Sequence, residues 1–326
     1  MPALRASEQN INYDANRLKM TTLRRVENCS QTMPVVLIDD LHGMLDEVFA
    51  ARNIQLNEPD ILFKIGIDGG QGFFKVCLNV ITEQDNFTCI SASKEGSVKG
   101  LFILAIVPEI EEIYRNVQIC LDNIDGIEDL PYIVATDLKI ANILCGLQSH
   151  GSQHPCCYCE GTSGVWERGA NSRTLRNIRY HYQRWIHSGG NLNESKNHYN
   201  CVNEPLLTSR IRDKDETILT IIPPSELHLL MGVFNKIYQE MKLKWPNVDE
   251  MWSEKLFVRP VGYHGGSCFT GGDCRKLLQS VDSLAAVCPI QVLPFVDTLR
   301  KLCQVIDSCF GNTLQMDFQE KYQSLQ

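Results

Sequence analysis

Between residues 35 and 52 the apolar positions Leu41, Met44, Leu45, Val48 and Phe49 recur at intervals of three and four, which predicts an amphipathic helix. The texture changes near residue 60. ILFKIGID, residues 61–68, alternates apolar and polar positions like a half-buried strand, and FFKVCLNVIT, 73–82, reads as a second strand. The glycine-rich DGGQG between them is turn chemistry, so the pair predicts a hairpin. LFILAIVP, 101–108, predicts a third strand, and 109–124 shows helical periodicity with acids at its start. PYIVATD, 131–137, is a short buried strand, and LKIANILCGL, 138–147, a helix ending near Gly146.

The predicted order is therefore β-β-β-α-β-α. This is the opening order of a ribonuclease H-like domain, a mixed α/β fold. Residues 1–57 read as a polar lead-in followed by the amphipathic helix, and 58–148 as the first part of that core. Residues 149–222, rich in Gly, Asn, His, Cys and Arg, read as a partly helical insertion. From the double proline at 223–224 the chain turns helical through 326, with Ser225 as a candidate N-cap and a glycine-rich break at 262–274. No repeat recurs at a fixed period.

Composition narrows the class. The chain has 326 residues, 44% hydrophobic and 21% charged, close to globular averages. Its apolar runs fall short of the ~20 residues a membrane helix needs, and the first residues lack a signal-peptide pattern. A nuclear or cytoplasmic, non-secreted protein with reduced thiols is expected. The net charge of −8 argues against a general nucleic-acid coat protein but leaves room for a local basic groove. Of the 14 cysteines, Cys77, Cys89, Cys120, Cys145, Cys288 and Cys303 stand singly in apolar stretches and read as small hydrophobes.

Three groups of residues could carry chemistry. Asp68 closes the first predicted core strand and Asp137 the fourth, and in this order the two strands lie side by side and parallel. Paired carboxylates at such strand ends hold Mg²⁺ or Mn²⁺ for in-line phosphoryl displacement; the plainer alternative makes each a strand-end cap. CCYC at 156–159 contains a C-x-x-C pair, Cys156 and Cys159, which supplies two thiolates to tetrahedral Zn²⁺. A redox pair and an unliganded loop are its alternatives. Arg168, Arg173, Arg176, Arg179 and Arg184, interleaved with Tyr180, Tyr182 and Trp185 and with no acid between 168 and 193, suit phosphate contact and base stacking, or else a solvated helix face. Glu226 and His228 open a later helix, where Glu complements the dipole and His packs in a core.

IGIDGGQG with Asp68, IVATDLK with Asp137, PCCYC, SRTLRNIRYHYQRW, PPSELHLLMGVFNKIY and the stretch from GGSCFTGGDCRKLL to VDSLAAVC occur in that order from about residue 60 to residue 310. The ordered set resembles the catalytic core of Transib-type DDE transposases and the V(D)J recombinase catalytic subunit. The resemblance implies metal-dependent DNA cleavage and strand transfer, with Asp68 and Asp137 as the first two members of a DDE triad. It further implies Cys156 and Cys159 as half of a zinc site, DNA as partner and a homodimer as candidate assembly. The family's third carboxylate and zinc-binding His pair would lie beyond the region matching 274–310. No His follows His264, so an incomplete active site is expected, leaving open a remnant that only binds nucleic acid or protein. IGIDGGQG also resembles the first phosphate loop of actin-like ATPases and sugar kinases, though no second phosphate loop follows.

Overall fold

The computed structural model describes residues 18–24, 32–52, 54, 61–70, 72–81, 100–108, 110–149, 151–164, 170–207, 209, 213–263 and 266–309. The protein is mixed α/β and divides into two compact units, Met1–Pro224 and Ser225–Gln326.

The first unit is built on a six-stranded sheet in the order β1-β2-β5-β4-β3-β6. Its strands are β1 (Leu18–Arg24), β2 (Thr32–Ile38), β3 (Leu62–Gly70), β4 (Phe73–Ile81), β5 (Phe102–Pro108) and β6 (Tyr132–Ala135). Every neighbouring pair is antiparallel except β3 and β6. The predicted hairpin is β3–β4, and its turn places Gly72 at φ 79°, a conformation that glycine adopts without a Cβ clash. In β3 the side chains of Phe63, Ile65 and Ile67 are buried, whereas Asp68 is exposed.

Two differences from the sequence reading concern where helices and strands begin. Residues 18–24 and 32–38 are strands that extend the sheet beyond β5, not a lead-in, and the first helix, α1 (Leu41–Arg52), starts after them. Buried Val35, Leu37 and Ile38 belong to β2, so the continuous apolar count had merged a strand with a helix. The second helix, α2 (Tyr114–Asp122), begins five residues later than the periodicity suggests. Ile113 is extended, at φ −122° and ψ 157°. The Asn116 side chain donates to the Glu111 carbonyl at 2.9 Å, and Glu112 is drawn into a salt bridge with Lys139. The acids thus precede the helix instead of filling its first turn.

The third helix, α3 (Leu138–Leu144), ends where expected. Gly146 is left-handed at φ 68°, its N–H donates to Ile143 O, and the Leu147 N–H closes on Asn142 O, each at 2.9 Å. This is a Schellman-type cap. Residues expected as an insertion are stitched directly onto it. Val202 and Asn203 donate to Gly146 O, Leu206 to Leu144 O, and Asn142 Nδ2 to Pro155 O. The helix α4 (Leu175–His187) carries a capping box of Thr174 and Asn177, and the single turn α5 (Ile218–Ile221) contacts β6.

The second unit contains α6 (Glu226–Lys244), a π turn at Asp249–Ser253, the two-stranded β7 (Val261–Tyr263) and β8 (Gly266–Cys268), α7 (Gly271–Gln279), α8 (Val281–Ala285) and α9 (Leu293–Cys309). Ser225 precedes α6 but caps it with no side-chain bond. The glycine-rich break resolves into a helix start: Thr270 and Asp273 form a capping box, and Gly271–Gly272 are the first helical residues. A Cβ at Gly271 would lie 2.0 Å from a Leu227 methyl, so the two helices approach through that glycine. Phe234, Tyr238, Trp252 and Phe269 form the aromatic centre of this core, with Tyr238 and Phe269 edge to face at 4.7 Å. No described helix is long and apolar enough to cross a membrane.

Gly146→Ala should destabilise the first unit by about 2 kcal/mol or more, because a Cβ would lie 2.2 Å from the Asn203 carbonyl oxygen at a left-handed φ. Gly232→Ala, in open space within α6, should instead stabilise by up to about 1 kcal/mol. Urea unfolding of both variants checks the opposite signs.

Candidate functional site

The single parallel pairing in the sheet decides where the acids meet. β3 and β6 run in register from Phe63↔Tyr132 to Gly66↔Ala135. The Thr136 hydroxyl then donates to Ile67 O at 2.7 Å, carrying the association one residue further. Continued two residues past its last pair, this register would bring Asp68 level with Asp137, but β6 ends at Ala135 and Asp137 already caps α3. Asp68 makes no hydrogen bond or ion pair among the described residues, and across the hairpin it faces Lys75. Asp137 is the N-cap of α3, and its Oδ1 accepts the Ile140 N–H at 2.8 Å. The plainer alternative of a strand-end cap therefore describes one oxygen of Asp137.

Another carboxylate, absent from the sequence reading, packs against β3 at Gly69, on the face opposite to Asp68 because neighbouring residues of a strand alternate sides. A Cβ on Gly69 would lie 1.7 Å from Glu112 Oε1, so the Glu112 carboxylate fills the space that this glycine leaves. Its Oε2 accepts from Lys139 Nζ at 2.5 Å, and the Glu112 side chain is only 15% exposed. The signal was the second glycine of the IGIDGG stretch, which had been read only as turn chemistry. Among the described residues no three His, Cys, Asp or Glu side chains form a group able to grip one ion. A Mg²⁺ or Mn²⁺ ion retains several waters and takes one or two carboxylates, and Asp68 with Asp137 fits that donor set.

Both thiols of the C-x-x-C turn are half-buried. Cys156 Sγ accepts the Tyr158 N–H at 3.4 Å. Burial raises the Cys156 thiol above its ordinary value, while the backbone donors from Tyr158 and Cys159 work against that rise. These two residues fit half of a tetrahedral zinc site. Two imidazoles of this region are committed elsewhere: His154 Nδ1 lies 3.0 Å from Glu160 O, and His181 Nε2 lies 3.2 Å from Glu160 Oε1.

The arginine run requires the main correction. Arg173 is fully buried, ahead of α4, and presents nothing to a phosphate. Its Nε donates to Cys156 O at 2.9 Å and Cys159 O at 3.0 Å, and Nη2 to Tyr199 O at 2.9 Å and His154 O at 3.4 Å. Nη1 reaches Cys201 Sγ at 3.5 Å. A guanidinium without water needs such acceptors, and a chain that folds back on itself supplies them. Arg176 is exposed but forked onto Asp215 at 2.5 and 2.7 Å, and Arg179 lies 4.0 Å from Glu204. The acids missing between 168 and 193 thus arrive from distant sequence. Arg184 stays exposed, stacked over the Tyr180 ring, and Arg168 lies outside the described residues. Of the described members of the cluster, Arg184 is the exposed cation left free of an acid partner.

Two outcomes follow from these contacts. Arg173→Met should cost about 3–5 kcal/mol, because it orphans the carbonyls of four residues in a dry interior; Arg173→Lys should recover little, since one ammonium cannot reproduce the fork. Thermal unfolding checks both. Burial lowers the His181 pKa from its ordinary value, and Glu160 opposes the shift. The unfolded chain then binds that proton more readily, so stability falls as pH drops from about 7 through the ordinary histidine range. A His181→Gln variant should show a flatter dependence of its urea midpoint on pH.

No protein-family model matches the sequence, and none of the curated proteins matches it; the functional reading rests on Asp68 and Asp137.

Proposed function

We propose that this protein acts on DNA by divalent-metal-dependent phosphoryl transfer at the edge formed by Asp68 and Asp137, on a ribonuclease H-like core. The observation that supports this reading is the parallel β3–β6 pair, with Asp68 near the end of β3 and Asp137 two residues past the end of β6. The sheet order β5-β4-β3-β6, with one parallel pair, agrees with that core.

In this reading Asp68, which has no other described partner, and the Asp137 oxygen not used by the Ile140 N–H hold the metal. A bound Mg²⁺ or Mn²⁺ would polarise the phosphodiester and raise the acidity of an attacking water or hydroxyl. Asp137 gains rigidity from its capping bond, which fixes the carboxylate relative to the sheet. Glu112, bonded to Lys139 and packed on the Gly69 side of β3, stands apart from this pair. Arg184 on Tyr180 offers a phosphate contact beside an exposed ring, a combination suited to a nucleic-acid backbone. Cys156 and Cys159 would hold half of a structural zinc site, and no catalytic step depends on it.

The test uses supercoiled plasmid DNA with Mn²⁺. Metal-dependent nicking is expected, reduced about a hundredfold or more in Asp68→Asn and Asp137→Asn with binding unchanged. Asp137→Asn keeps a capping oxygen, so its thermal stability should match the parent, whereas Asp137→Ala should lose about 1 kcal/mol. Arg184→Ala should lower the salt slope of binding by about one ion. Binding without nicking would favour the non-enzymatic reading, and absence of DNA binding would sink both.

A further inference from the structure

The helix α6 buries Leu230, Phe234, Tyr238 and Met241 along one face. A second line of residues runs along its exposed side: Leu229, Val233, Lys236, Glu240 and Leu243. Their spacings are four, three, four and three, the seam spacing of a coiled coil. At 100° per residue all five fall within about 80° of arc, well apart from the buried face. The apolar members are costly to leave in water: Leu229 is 44% exposed, Val233 45% and Leu243 75%. Gly232 lies beside them with nothing within 4 Å of its absent Cβ, which removes bulk from the flank of the line.

The order of residue types within this line is self-complementary. An antiparallel pairing of two such helices about a two-fold axis near Tyr238 sets Val233 of one opposite Leu243 of the other, twice. It also sets Lys236 of one opposite Glu240 of the other, again twice. These are the layers an antiparallel helix pair forms from alternating seam positions, and the interface is isologous, as closed dimers require. Within one chain Lys236 Nζ already meets Glu240 Oε1 at 2.7 Å, at side-chain exposures of 69% and 44%. Both charges therefore sit on the seam, where a two-fold exchange of partners costs neither of them an opposite charge. A parallel pairing would bring Lys236 against Lys236 and is disfavoured.

We propose that the exposed line of α6 is a homodimer interface, occupied by the same helix of a second copy in antiparallel orientation. The proposal is independent of the phosphoryl-transfer reading. One helix pair of this length lies at the small end of stable interfaces, so the dimer should dissociate reversibly at micromolar concentrations.

Sedimentation equilibrium of the full chain over a wide concentration range tests this. The parent protein should show a monomer–dimer equilibrium. Leu243→Lys, which places two cations against Val233, should weaken it about tenfold or more. Lys236→Glu should weaken it as well, by setting Glu against Glu across the axis. The double variant Lys236→Glu, Glu240→Lys restores both cross-pairs and should recover dimerisation, an outcome that general loss of solubility or folding would not give. All substitutions are at solvent-facing positions, and circular dichroism should be unchanged. A chain that stays monomeric at the highest concentration overturns the proposal and leaves the line to another protein or another segment of this chain. A dimer insensitive to the two single variants, or a double variant no better than Lys236→Glu alone, also overturns it.

Discussion

A parallel strand pair cannot be made by a tight turn, and that constraint organises the first unit. The chain must leave β3, return through β4 and β5, cross over with α2, and only then lay β6 alongside β3. The crossover brings the carboxyl ends of β3 and β6 to one edge. Asp68 lies near the end of β3 and Asp137 just past the end of β6, while Glu112, from the chain that enters α2, packs at Gly69. If β6 slipped by one residue, Tyr132 and Val134 would trade places with Ile133 and Ala135, and the buried side of the strand would open to water. The packing that fixes the register thus also fixes which carboxylates become neighbours.

A second constraint acts in the region from 149 to 222. One arginine side chain is buried there, and it ties three stretches of chain through their carbonyl groups: the C-x-x-C turn, His154 and Tyr199. Tyr199 and Asn200 both have positive φ, at 52° and 60°. Such a conformation is sparsely populated by non-glycine residues and persists only when its surroundings hold it. Here Arg173 holds Tyr199 O, while the Asn200 side chain bonds Gln148, Ser195 and the His154 N–H. The position of Cys156 and Cys159 relative to α3 therefore depends on a charge distant from them in sequence, and burial keeps Cys201, at the end of the same network, at about 11.

Alternation and turn chemistry along the chain determined β3, β4, β5, β6 and α3, because each of these elements buries one face of a regular period, and all but β4 also stop at a glycine, a proline or a cap. The hydrophobic runs stop at Asp68 and before Asp137, but pairing carries β3 on to Gly70 and β6 ends at Ala135, so neither aspartate is the last residue of its strand. Three things were decided only in three dimensions. The strands at 18–24 and 32–38 carry no clear period of their own and exist through pairing with β5 and each other. Glu112 was hidden because the space it fills is created by a glycine 43 residues earlier in the sequence, and local periodicity reads helix where a long-range salt bridge holds the chain extended. The arginine run was misjudged for a related reason. Composition counts charges along a window, but Asp215, Glu204 and the carbonyls around Arg173 enter from outside it, and whether an arginine faces a phosphate or a buried carbonyl is settled by where the chain folds back, not by its neighbours in sequence.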